Sequence, residues 1–207
     1  MINKYKKPIL LLTMIVLASS CTNKETDRVD RAVKIVETSY YVYEPNPLYK
    51  EDARKVNELF LYTLRNRNKL GVDEQRKIYN QAMSQSGKDA LGAKAEDDQA
   101  IEDSVDERRG LITQSICLST AALVSAPDDA IQYFNDARGL LKNDVDGSAH
   151  EYLEEEYSAT FILEILYLHE HNMLRDEDKR VAVKAINELS SLSSASKRTI
   201  VEIIANL

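Results

Sequence analysis

The sequence has 207 residues, with 27 lysines and arginines against 34 aspartates and glutamates, for a formal net charge of -7. An acidic chain without a lysine–arginine cluster excludes nucleic acid as a partner, and it excludes electrostatic attraction to anionic lipid as the route to a membrane. Glycine and proline are scarce, at six and four residues, which is the composition of a helical protein.

Lys4, Lys6 and Lys7 precede an apolar run from Ile9 to Ala18, and the small residues Ser19 and Ser20 lead into Cys21. A positive n-region, an apolar h-region and a small-residue cleavage site in that order define a secretory signal. The apolar run is about half the roughly twenty residues that a membrane-spanning helix needs, so residues 1–20 are expected to be removed. The quartet Leu17-Ala18-Ser19-Ser20 followed by Cys21 resembles the lipobox of bacterial lipoproteins. The resemblance implies cleavage before Cys21, diacylation of its thiol and acylation of the new amine, so the only attached group is a covalent lipid and there is no other cofactor. More than one acyl chain makes such an anchor stable. Thr22 stands where enteric-type lipoproteins held at the inner membrane tend to carry Asp, so the same resemblance implies the outer membrane. Loss of residues 1–20 removes three lysines and no acid, moving the charge from -7 to -10 and leaving 187 residues, ample for a core in one domain or two small ones.

Residues 21–26 form the lipidated tether. Val29, Val33, Val36, Tyr40 and Tyr43 then recur at alternating steps of four and three, which predicts a first helix over about 27–43 with Asp27 as its cap. Glu44-Pro45-Asn46-Pro47 turns the chain. A second helix is expected from about Lys50 to Leu70, with Ala53, Val56, Phe60, Leu64 and Arg67 on its inner or boundary stripe and Gly71 as C-cap. A third, capped by Asp73, carries Ile78, Ala82 and Met83 and fades between Ser84 and Gly87. Together 27–86 make an N-terminal helical layer.

Residues 87–108 are rich in Ala, Gly, Asp and Glu and poor in large apolar groups, so they are expected to form an acidic flexible loop, helical at most near its end. The acids Asp89, Glu96, Asp97, Asp98, Glu102, Asp103, Asp106 and Glu107 read as a solvated linker in preference to a cation site.

The C-terminal layer, 109–207, packs with 27–86 as one domain. Leu111 to Ala126, with Ile112, Ile116, Leu118, Leu123 and Val124 among Ala, Ser and Thr, is apolar on most faces and belongs at a bundle's centre. Cys117 lies within it as a small buried hydrophobe, and once Cys21 is acylated no intrachain disulfide can form. Pro127, Asp128 and Asp129 start a helix whose Ala130, Ile131, Phe134, Ala137 and Leu141 face one way. After the turn Asn143 to Gly147, a capping box of Ser148 and Glu151 opens the longest helix, to about Asn172. Its stripe is Tyr152, Leu153, Tyr157, Phe161, Ile165 and Leu168. Two shorter helices follow, about 177–191 around Val181, Ala185, Ile186 and Leu189, and about 195–206 around Ile200, Ile203 and Ile204. No segment alternates at period two, so the fold class is all-α: a helical bundle or helix-hairpin array of about seven to eight helices. Ala130, Phe134 and Ala137 have the spacing of the second helix of a tetratricopeptide repeat, a resemblance that covers half a repeat. The preceding helix departs from that family, with Gln114, Cys117, Leu118 and Ala121 at its signature places.

Catalytic and metal motifs fail on inspection. In His169-Glu170-His171 the metalloprotease spacing would need a histidine at Met173, and the two histidines stand about 200° apart on a helix, so they read as a helix end near the negative dipole. Asp144-Val145-Asp146-Gly147 resembles the middle of an EF-hand loop, but the end ligands would be Lys142 and Leu153. The residues three before His150, His169 and His171 are Gly147, Leu166 and Leu168, which excludes a Glu-x-x-His di-iron site. There is no P-loop, Gly-x-Gly-x-x-Gly, Gly-x-Ser-x-Gly or Cys-x-x-Cys.

The reading that remains is a non-catalytic module, not an enzyme, anchored to the membrane through Cys21 and binding another envelope protein as an assembly factor, adaptor or immunity-type inhibitor. Eleven tyrosines stand against three phenylalanines and no tryptophan. Tyr40, Tyr41, Tyr43, Tyr49 and Tyr62 concentrate in the N-terminal layer as a candidate interface, since a tyrosine ring packs while its hydroxyl stays hydrated or bonded. Two rivals stand beside it, a carrier with an apolar cavity under 111–126 and an enzyme built on scattered carboxylates. A closed apolar cavity would mark the first and convergent buried carboxylates the second.

Overall fold

The computed structural model describes residues 28–38, 50–95, 103–142, 150–190 and 192–207. Among these residues the fold is all-helical: α1 (28–38), α2 (Lys50–Asn66), α3 (Val72–Ala95), α4 (Asp103–Leu123), α5 (Pro127–Lys142), α6 (His150–Glu170), α7 (Asp176–Glu188) and α8 (Ser194–Asn206).

The helices form an array of hairpins. Each packs on its successor from α2 onward, and α2, α4, α6 and α8 also pack one on the next as a row. At the middle of the row, α4 is buried without interruption from Ser115 to Leu123, as its nearly all-round small and apolar sequence requires. α6 is equally enclosed, with Ser158 to Leu163 and Ile165 to Leu168 buried. Tyr167 and Phe134 meet edge to face at 6.0 Å between ring centres, joining α6 to α5. Cys117 is buried and forms no disulfide among the described residues, as its apolar surroundings imply.

Helix ends follow local chemistry. At the close of α6, Asn172 takes φ 56°. Its amide donates to the His169 carbonyl at 3.1 Å while Met173 N–H reaches back to Leu168 at 2.8 Å, the paired bonds of a Schellman cap, for which asparagine tolerates the left-handed conformation. His169 and His171 thus stand at a helix end, as their place before Asn172 led us to expect. Arg175 N–H donates to Asp178 Oδ2 at 3.0 Å at the start of α7, and Ser193 Oγ accepts from Ser196 N–H at 3.1 Å at the start of α8. Each satisfies an amide that the first helical turn leaves open.

Several expectations need correction. The loop expected at 87–108 is helical over 87–95, where α3 continues, and again over 103–108, where α4 begins. The inner stripe of α3 runs Ile78, Ala82, Ser86 in steps of four, and all three are buried. The polar Ser86 disguised the continuation, and the alanines and lysines beyond it have high helix propensity. The start of α4 carries Asp103, Asp106 and Glu107, and acids near a helix N-terminus favour the dipole. Gly71 does not cap α2, which ends at Asn66. It accepts through its carbonyl the first bond of α3, from Gln75 N–H at 2.9 Å, so Asp73 stands within the first turn and not at the cap. Val181 is 52% exposed, and α7 turns Ala182 and Ile186 inward instead. The turn at 143–147 and Ser148 lie outside the described residues.

Candidate functional site

α1 joins the two ends of the row. Arg28 Nη1 donates to the Asn206 carbonyl at the C-terminal end of α8 at 2.9 Å, and Glu37 accepts from Arg65 Nε of α2 at 2.7 Å. Ala32 and Val36 are buried in the common core, with Val29 and Val33 packed against it. This leaves the opposite side of α1 facing α8 across a groove of about 680 Å³, lined by Arg28, Arg31, Lys34, Ile35 and Thr38 from α1 and by Thr199, Glu202, Ile203 and Asn206 from α8. Ile35 and Ile203 supply apolar surface, and three cations face a single carboxylate, Glu202. Arg31 and Lys34 are exposed and carry no ion pair among the described residues. The local charge is therefore positive on a protein that is acidic as a whole.

Sequence reading missed this cluster. The spacing of Arg28, Arg31 and Lys34 was visible as one helical face, but Asp30 falls within it and Asp27 and Glu37 flank it in sequence, and its other wall lies in a helix far along the chain. The chain thus carries a basic cluster in three dimensions, contrary to the absence expected from its linear order.

Of the tyrosines expected at an interface, Tyr40, Tyr41, Tyr43 and Tyr49 lie outside the described residues. Tyr62 is described and is 45% exposed. Its hydroxyl donates to the Glu74 carboxylate across the α2–α3 hairpin, and that bond holds the phenol above its usual range, with burial and the charge of Glu74 acting the same way. Between α3 and α5, the Tyr79 and Tyr133 hydroxyls lie 2.9 Å apart. This bond, followed by burial, pushes Tyr133 up to about 12.

The buried ionisable groups among the described residues are dispersed. The Arg138 guanidinium stacks 4.2 Å over the Phe161 ring and bonds Glu164 and Asn135. Arg67 forks onto Glu170, fastening the end of α2 to the end of α6. Glu156 is 4% exposed, and its Oε2 has no hydrogen-bond partner. Burial, reinforced by the neighbouring Glu155, drives its pKa well above the usual carboxylate range. Among the described residues there is no cluster of His, Cys, Asp and Glu able to hold a metal, and no helix is long and apolar enough to cross a membrane.

Smaller hollows also open among the described residues. One of about 60 Å³ sits among Val56, Ala82, Cys117 and Thr120, and one of about 280 Å³ opens among Leu141, Leu153, Tyr157 and Leu189. Comparison with protein-family models, with curated proteins and with solved structures finds no match.

Proposed function

We propose that the chain is a lipid-anchored helical adaptor of a bacterial envelope, held at the outer membrane through acylated Cys21 and binding another protein without catalysis. The observation that carries this reading is the hairpin array itself. Helix pairs that stack in a row make extended surfaces suited to protein recognition, and the half-repeat Ala130, Phe134, Ala137 lies in the second helix of the central hairpin, α4–α5. Tyr62 is exposed beside Glu74 on the first hairpin and offers an aromatic contact with a polar tip, the kind enriched where proteins meet. A carrier of apolar ligands, with a cavity under 111–126, is supported less well, because the described hollow against Cys117 and Thr120 is only about 60 Å³, whereas small-ligand sites hold roughly 300 to 1,000 Å³.

The test is photocrosslinking in the native membrane with benzoylphenylalanine at Tyr62. The reading expects one discrete adduct to another envelope protein, absent when the same group replaces Lys184 on the exposed face of α7. An equal smear from both positions would remove the support.

A further inference from the structure

We infer that the groove between α1 and α8 is a docking surface for the anionic headgroups of the membrane that carries the protein's own lipid. The inference rests on the lipid-anchor reading and adds to it an orientation.

Two observations carry it. The first is charge complementarity. Arg28, Arg31 and Lys34 line one wall of the groove, with Glu202 opposite, on a chain whose net charge is -7 and becomes -10 without residues 1–20. An anionic leaflet repels the rest of such a surface and attracts this part of it, each Lys or Arg near the leaflet favouring contact about fivefold. Asp30 lies on α1 beside Lys34 but does not line the groove, and Glu37 is engaged by Arg65.

The second observation is reach. Cys21 and Arg28 are separated by residues 22–27, and a fully extended chain covers at most about 3.6 Å per residue, so the start of α1 lies no more than about 25 Å from the acylated cysteine. Arg28 lies at the mouth of the groove, where it binds the Asn206 carbonyl. An anchor this short holds the groove at high effective concentration next to the headgroups, so contacts too weak to recruit a free protein suffice to orient a tethered one. Guanidinium and ammonium groups pair with phosphate oxygens, and the Ile35 and Ile203 side chains meet the glycerol and upper acyl region.

The test uses the lipidated protein purified from its membrane, with acylation of Cys21 established by mass spectrometry. A fluorophore is placed on Thr199→Cys in the exposed groove wall; Cys117 is buried and Cys21 is blocked by lipid. The protein is reconstituted into vesicles of phosphatidylcholine alone or of an equal mixture with phosphatidylglycerol, each containing a headgroup-spin-labelled phospholipid as quencher. The expected result is stronger quenching in the anionic vesicles, lost in high salt, with the Arg31→Glu/Lys34→Glu pair lowering the docked fraction more than about tenfold. Both positions are exposed, so the pair should retain the parent helicity, and the salt arm needs no variant. Acylated Cys21 with equal quenching in both vesicles overturns the groove assignment alone. An unacylated Cys21 overturns the anchor and the groove together.

Discussion

Tyr167 Oη donates to the backbone carbonyl of Ser125 at 2.5 Å, tying the last turn of α6 to the turn that follows α4 across 42 residues of sequence. The ring is almost wholly buried, and burial followed by the charge of Asp129 pushes the phenol up to about 12, so it stays a neutral donor at every physiological pH. Tyr167→Phe keeps the packing and leaves that carbonyl short of its donor. The expected loss is about 1 to 3 kcal/mol in urea unfolding, with an unchanged denaturant slope.

The Arg138–Glu164 pair joins α5 to α6 beside the Phe161 ring, over which the guanidinium stacks. Each side chain is about nine-tenths buried, with relative exposures of 10% and 13%. Burial raises the Glu164 pKa, while Arg138 pulls it down. Arg138→Met strands the carboxylate and is expected to cost about 3 to 5 kcal/mol, whereas Arg138→Met/Glu164→Leu returns close to the parent. The single variant should lose more at pH 8 than at pH 5, because the lone carboxyl can protonate at the lower pH. A double-mutant cycle by denaturant titration at both values checks the pattern.

Glu156 makes stability depend on pH in the direction opposite to a paired carboxylate. Its folded pKa lies above its unfolded one, so the folded state binds the extra proton. The contribution is complete below the ordinary glutamate range and is lost as pH rises toward the raised folded value. Glu156→Gln keeps the shape without the charge. It should be more stable than the parent at pH 8 and nearly equal to it at pH 5, and identical differences at the two pH values would refute the assignment.

Two core variants and one surface variant test the packing. Ile116, 1% exposed on α4, cannot accept an unpaired carboxylate, so Ile116→Asp should abolish cooperative melting. Phe161→Ala removes a ring that lies under Arg138 and meets Tyr157 edge to face at 5.3 Å, for an expected loss of about 3 to 5 kcal/mol. Tyr62→Ala should stay within about 0.5 kcal/mol of the parent, as surface changes do. Circular dichroism melts of the three decide whether Tyr62 belongs to the surface or the core.

The central helices were legible because their chemistry is one-sided. Ile112 to Leu123 carries one long polar side chain, Gln114, among small and apolar ones, which suits a bundle's middle, and Pro127 with two following aspartates starts α5 where expected. The stripes Val56, Phe60, Leu64 and Ala130, Phe134, Ala137, Leu141 turned inward as their spacing required. What escaped was held by polar residues doing buried work. Ser86 carries on a stripe that hydropathy ends at Met83, and Arg138 and Glu164 are enclosed because each neutralises the other. The groove escaped for a different reason: its walls are far apart in the chain, and the positive face of α1 disappears when charge is averaged along the sequence.

The most direct measurement is the intact mass of the protein released from its native membrane, with fragmentation of its first residues. The account predicts a mature chain beginning at Cys21, lacking residues 1–20 and bearing a diacylglyceryl thiol and an acylated amine, and predicts that Cys21→Ala carries no lipid. A chain that starts elsewhere, or an unmodified Cys21 thiol in membrane-bound protein, would contradict it.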